Sequence, residues 1–193
     1  MKSARFNFQN VSHFKRAKQA GFSSVELGLS LLIVALIIVA AVLFYQDNVR
    51  KTSINSNVQY LQLIAGNAKT TYGARNEYGQ VTTAVAVQGH VIPDNLRDGD
   101  AVATATNPFG AAITVASATT AGAGTPDVLD VTWGNVPRNQ CAEIVTGVAT
   151  VMRTITVNGT AVKPLDAPLN LALTTTQCEA AQNVAVVFRV GRS

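Results

Sequence analysis

Hydrophobic and polar positions fall into three regimes along the chain. Residues 1–26 are mostly polar. Residues 27–45 read LGLSLLIVALIIVAAVLFY, 19 positions without a charge or a proline. At ~1.5 Å per residue, a helix of that length spans ~29 Å, close to the ~30 Å hydrocarbon core of a bilayer. It is apolar on every side, so it belongs in lipid or deep within a helix bundle. Past Tyr45 the pattern becomes periodic. Val49, Ile54, Val58, Leu61, Ile64 or Ala65, Ala68 and Tyr72 recur at helical spacing, while Lys51, Asn55, Gln59, Gln62 and Lys69 fall on other faces. Neither Pro nor Gly interrupts Leu29 to Ala65, and Gly73 supplies a stop. The spacing predicts one helix from Phe22 to about Tyr72, ~75 Å long, greasy throughout its first half and amphipathic in its second.

The remainder predicts an α+β head. Residues 111–117, 127–134, part of 150–157 and 182–190 are rich in Val, Ile and Thr and read as strands. Asn107-Pro108, Gly122 to Pro126 and Asn158-Gly159 separate them as turns. Cys141, Ile144, Val145 and Val148 give 137–150 a helical apolar pattern, and 74–110 reads as a long loop with a short helical turn at Pro93–Arg97. An antiparallel sheet packed on the amphipathic part of the first helix is the expected architecture.

Charge alters this picture at one end. The chain of 193 residues carries a formal net charge of +4. Lys2, Arg5, Lys15, Arg16 and Lys18 sit in residues 1–21 with no acid among them, whereas the rest holds ten basic and eleven acidic residues. The basicity is therefore local, and a nucleic-acid-binding surface is not implied. Five positive charges before an apolar span hold that flank in the cytoplasm and send the C-terminal part across the membrane. An ordinary secretory signal does not fit, because the apolar run would precede the cut and be discarded with it.

The junction between these regimes reads Gly21-Phe22-Ser23-Ser24-Val25-Glu26. Preceded by a basic leader and followed by the apolar run, it resembles the class III signal of type IV prepilins. The resemblance is specific over roughly residues 15–50 and architectural beyond. It implies a type IV pilin fold: one long N-terminal helix, half membrane-embedded, packed on an antiparallel head with a C-terminal disulfide. It implies cleavage between Gly21 and Phe22 by a prepilin peptidase, methylation of the new terminus at Phe22, and a role for Glu26 in assembly and register. Glu26 stands one helical turn after the new ammonium, near enough to pair with it in its own chain or a neighbour's, and its carboxylate suits the N-terminal end of the helix dipole. Leu43 occupies the place where many type IVa pilins carry a kinking proline. With the long leader and sizeable head, that makes the chain most like type IVb pilins of conjugative or colonisation pili.

The implied organisation is a leader, 1–21; a transmembrane and filament-core half-helix, 22–50; and a periplasmic or extracellular head, 51–193. The implied role is a major pilin, waiting in the inner membrane as a single-pass protein with its N-terminus in the cytoplasm and ending in an extracellular pilus. Its partners would be copies of itself in a helical homopolymer, the peptidase, an inner-membrane platform, an assembly ATPase and an outer-membrane secretin. The alternatives are a minor pilin, a type II secretion pseudopilin or an anchored periplasmic binding protein. Cys141 and Cys178 lie 37 positions apart, on the side of the membrane where disulfides persist. They are either a disulfide, as the family's C-terminal staple implies, or two buried thiols. No GxSxG, HExxH, CxxC or Walker A pattern occurs. No catalytic residue, metal site or cofactor is therefore expected. Asp98-Gly-Asp100 reads as a solvated turn, Asn158-Gly159-Thr160 as a hairpin turn before a glycosylation sequon, and Trp133 as core.

Overall fold

The computed structural model describes residues 23–73, 78–99 and 103–191. Gly21, Phe22 and the basic residues ahead of them lie outside the described residues, as does Asp100. The chain divides into two compact units, one ending at Tyr45 and the other beginning at Gln46.

Helix α1 runs without a break over Ser24–Ala68 and widens into a terminal π-helical turn at Lys69–Gly73. Its start is chemically marked: the Glu26 amide donates to Ser23 Oγ at 3.2 Å and the Leu27 amide to the Ser23 carbonyl at 3.1 Å. A serine oxygen at this position takes up one of the amides that a helix start leaves unpaired. In the first unit all described residues, from Ser23 to Tyr45, are exposed. The Ser30 hydroxyl inside the apolar run is satisfied locally, donating to the Leu27 carbonyl at 2.9 Å.

The second unit is built on a five-stranded antiparallel sheet of β1 (Thr114–Ala118), β2 (Val128–Pro137), β3 (Thr154–Val157), β4 (Thr160–Lys163) and β5 (Asn183–Gly191), in the order β1-β2-β5-β3-β4. The last strand thus lies at the centre, with Val186 opposite Trp133 of β2 and Phe188 opposite Ile155 of β3. Alternation puts Val131, Trp133, Val186, Phe188 and Ile155 on the buried face. The head half of α1 contributes Ile54, Asn57, Leu61, Ile64, Ala65 and Ala68 as its buried stripe. A bulge between Trp133 and Val136 holds Asn135 in the left-handed region at φ 54°, where Asn is tolerated better than most residues. Asn107 braces it, donating from Nδ2 to the Gly134 carbonyl at 2.8 Å.

Among the described residues the head holds three further α-helices: α2 (Thr83–Gln88), α3 (Arg138–Val148) and α4 (Leu171–Glu179). Helix α3 lies close against α1. A Cβ on Gly147 would stand 2.8 Å from Val58 Cγ2, so glycine permits the approach. Polar bonds flank the seam: Ser53 Oγ donates to Gln140 Oε1 at 3.0 Å, and Gln62 Nε2 to the Gly147 carbonyl at 3.3 Å.

The expected helix 137–150, the antiparallel sheet and the turn at Asp94–Leu96 are present. Residues 74–110 are not simply loop, because Thr82 caps α2 by accepting from the Val85 amide. The part of 150–157 that forms a strand is Thr154–Val157. Helix α4 and strand β4 are elements that the sequence pattern does not predict. Val49 belongs to the apolar period but is half exposed, since the buried stripe starts at Ile54.

Candidate assembly site

The residues expected to carry assembly divide between described and undescribed chain. Gly21 and Phe22 lie outside the described residues. Glu26 is exposed in the first turn of α1, where the helix dipole favours a carboxylate. Around and beyond it, the apolar residues between Val25 and Tyr45 present bare side chains on every side, from Val42 at 47% exposure to Val25 at 78%. Among the described residues one helix is long and apolar enough to cross a membrane, and this is its apolar part. A continuous apolar surface of that size is covered by lipid or by other apolar helices, because water would penalise it heavily.

At the start of the second unit, charges gather on α1. Lys51 Nζ lies 2.8 Å from Asp47 Oδ2 and Arg50 Nη2 3.3 Å from Asp47 Oδ1. Arg50 also reaches α3, donating to Glu143 Oε1 at 2.5 Å and to the Asn139 carbonyl at 3.2 Å. These groups are solvated, so their stabilising contribution is small. Their position marks where an apolar environment has to end.

Cys141 of α3 and Cys178 of α4 form a disulfide with Cα atoms 5.6 Å apart, both residues buried. It joins the two helices flanking the sheet across 37 positions of sequence. The other residues singled out by the sequence play structural parts. Asn158 and Gly159, at φ 49° and 81°, form the β3–β4 hairpin turn, and Asn158 Nδ2 donates to the Gln177 carbonyl at 3.0 Å. Asp98 Oδ2 accepts from the Thr104 and Thr106 hydroxyls at 2.8 and 3.3 Å. Trp133 is fully buried, and its Nε1 donates to Asn57 Oδ1 at 3.1 Å.

Sequence reasoning missed Asn57. It is a polar residue on an apolar stripe, and its partner stands 76 positions away. It also missed the ion pairs on the outer sheet face. Arg189 grips Asp130 through Nε and Nη2 at 2.6 and 2.7 Å, and Arg153 lies 3.5 Å from Asp127. Hydrogen bonding to Asp130 pushes the Arg189 guanidinium up. A shallow concavity of about 490 Å³, lined by Thr154, Thr156, Val187 and Leu165 among others, opens beside that pair.

Comparison with known proteins turns on the head. The PilS N-terminal family matches residues 51–190. Among solved structures, the chain is similar to the crystal structure of the type IV b pilin from Salmonella typhi. That match has 21% identity and a TM-score of 0.56, covering 72% of this chain and 99% of that one. Weaker likenesses are to TcpA, a type IV pilin from the El Tor biotype of Vibrio cholerae (18% identity, TM-score 0.47, covering 69% of this chain and 98% of that one), and to the NMR structure of the type IVb pilin PilS from Salmonella typhi (22% identity, TM-score 0.39, covering 76% and 95%). No curated protein sequence matches the chain. The family match covers most of the chain and begins just after residues 15–50, which carry the prepilin resemblance, so the two likenesses rest on different residues. The chain belongs to the PilS N-terminal family and has the fold of a type IVb pilin.

Proposed function

We propose that the chain is a precursor inserted in the inner membrane that becomes the major subunit of a type IVb pilus. Residues 1–21 are its leader, removed after Gly21 by a prepilin peptidase that also methylates Phe22. Residues 22–50 anchor it with the N-terminus in the cytoplasm, and residues 51–193 form the head on the far side. One observation carries this reading: the apolar half of α1 is bare on every side while the head has a closed core of its own. Lipid covers that surface before assembly, and the helices of neighbouring copies cover it afterwards.

Moving the segment from lipid into a filament exchanges one apolar surrounding for another, so packing and polar pairing set the direction. Glu26 supplies a pairing group. An ionised carboxylate enclosed among apolar helices needs a counter-charge, and the ammonium of Phe22, which keeps its charge on methylation, is the partner one helical turn away. Copies of the chain are the main partners. The inner-membrane platform, assembly ATPase and outer-membrane secretin come from other proteins. The chain is a structural subunit and not an enzyme.

N-terminal sequencing and intact mass of the subunit sheared from cells test this reading. The expected mature chain starts at Phe22, carries one methyl group and lacks the two hydrogens of a disulfide. Retention of the leader in an assembled subunit overturns it, as does normal maturation of Gly21→Ala. A subunit present only in traces in sheared filaments replaces the major-pilin assignment with a minor pilin or pseudopilin.

A further inference from the structure

The buried stripe of α1 is Ile54, Asn57, Leu61, Ile64, Ala65 and Ala68. It steps by three, four and three to Ile64, with Ala65 and Ala68 continuing the same face, and every member but Asn57 is apolar. An apolar stripe of that kind is nearly self-similar. Sliding the helix by one turn over the sheet replaces each apolar residue with another, so van der Waals packing alone discriminates weakly between registers. Asn57 breaks the degeneracy. Its Oδ1 accepts from Trp133 Nε1 at 3.1 Å, and its Nδ2 donates to the Ser53 carbonyl at 2.8 Å. Both residues are fully buried. A slipped helix would leave the indole N–H and the amide oxygen unpaired in the core, away from water, a penalty that apolar contacts do not repay. A single buried asparagine fixes register in coiled coils by the same physics.

We propose that Asn57 and Trp133 are a register key: they set the axial position and rotation of the head half of α1 on the sheet. They thereby select the stripe of that helix which the head leaves bare, namely Thr52, Asn55, Gln59, Leu63 and Gly66. In the filament proposed above, on which this consequence rests, that stripe faces neighbouring copies. Asn57 is thus a positioning residue for assembly, beyond any contribution to stability.

A cross-link gauge tests the key without relying on filaments. A Cβ built on Gly147 stands 3.7 Å from Val58 Cβ, close to the ~3.8 Å typical of disulfides. The full chain with Val58→Cys and Gly147→Cys is therefore expected to close this bond nearly completely in membranes, as read by peptide mapping. Adding Asn57→Leu and Trp133→Phe removes both polar partners and keeps an apolar core. With the Cys141–Cys178 bond intact and the head still protease-resistant, the gauge cross-link is expected to fall at least threefold. If the fourfold variant does not fold, Trp133→Phe alone in the gauge background takes its place, with a smaller loss expected. Complete cross-linking in all backgrounds overturns the proposal.

The second readout uses Asn57→Leu/Trp133→Phe in the otherwise natural chain. The yield of sheared filaments is expected to fall about tenfold while the amount of folded subunit in the membrane stays unchanged. Wild-type yield from that variant, despite a lost gauge cross-link, overturns the assembly role and leaves the register key. Failure of the natural chain to form filaments refutes the pilus reading instead, and the gauge still decides the key.

Discussion

Residues 24–45 and 46–68 of α1 share one hydrogen-bond ladder and cover their apolar surface in opposite ways. In the first stretch no side chain is buried, and Ile37 is 63% exposed. In the second, one stripe is sealed against the head, and Ile64 is 1% exposed. The same residue type on the same helix thus has two solvents. The first stretch is uniform around its axis, so any apolar surrounding serves it, lipid or a crowd of like helices. The second has a single complementary partner, and that partner is selected by a polar contact at Asn57 and by the close approach at Gly147. A helix built this way can exchange its surroundings at one end without loosening its hold at the other.

Substitutions in the head should show the larger effects. Trp133→Ala opens a cavity costing about 3–5 kcal/mol and leaves the Asn57 amide oxygen unpaired, adding about 1–3 kcal/mol. Circular dichroism of the detergent-solubilised chain should find a head that is unfolded or barely folded. A loss under about 1 kcal/mol would remove Trp133 from the centre of the core. Cys178→Ser frees a loop of 37 positions and should cost ~4 kcal/mol on the chain-entropy account. Urea unfolding followed by fluorescence of Trp133, the single tryptophan, would show it, and an unchanged midpoint would mean the helices hold without their staple. Ile64→Ala should cost about 2–5 kcal/mol by the same assay.

Acid provides a gentler probe confined to the head. Burial pushes the Asp127 carboxyl up, but hydrogen bonding from Thr120, whose amide donates at 2.7 Å, and the charge of Arg153 more than offset it, leaving the group below its ordinary 3.8. A carboxyl lowered by folding stabilises the fold fully above its unfolded value, and that stability fades as pH falls through the folded value. Head stability should therefore drop below about pH 4, and Asp127→Asn should flatten the drop while lowering stability at neutral pH. An acid profile identical to that of the natural chain would discount the Asp127 contacts. The smallest effect belongs to Ile37→Ala, within about 0.5 kcal/mol for the head. A loss matching that of Ile64→Ala would break the contrast between the two halves of α1.

Parts of this molecule could be read from local pattern and parts could not. The helical period carried α1 and α3 because each repeats an apolar residue on one face. The β-branched runs carried β2 and β5 for the equivalent reason. Helix α4 escaped because Leu171–Glu179 holds three consecutive threonines, which favour strands in isolation. Its helix is held by tertiary and local bonds instead. Asn170 Oδ1 accepts from the Leu173 amide, the hydroxyls of Thr174, Thr175 and Thr176 each donate to a carbonyl four residues back, and Cys178 is tied to α3. Helix α2 escaped because six residues are too few for a period to show. The role proposed for Glu26 rests on its distance from Gly21 along the chain, which a sequence displays. The contact of Asn57 could not be read that way, because its partner is a tryptophan on a distant strand.

The sequence by itself determined the long helix, the uniformly apolar character of its first half, the gathering of the excess basic charge in residues 1–21, and the class of the fold. These depend on short-range spacing and on transfer of side chains between water and oil, which act wherever the chain goes. Only the tertiary structure decided that the last strand enters the middle of the sheet, which cysteine-bearing helices meet, and which stripe of α1 the head conceals. Those outcomes depend on contacts between residues dozens of positions apart, whose cost or gain exists only once the core has closed around them.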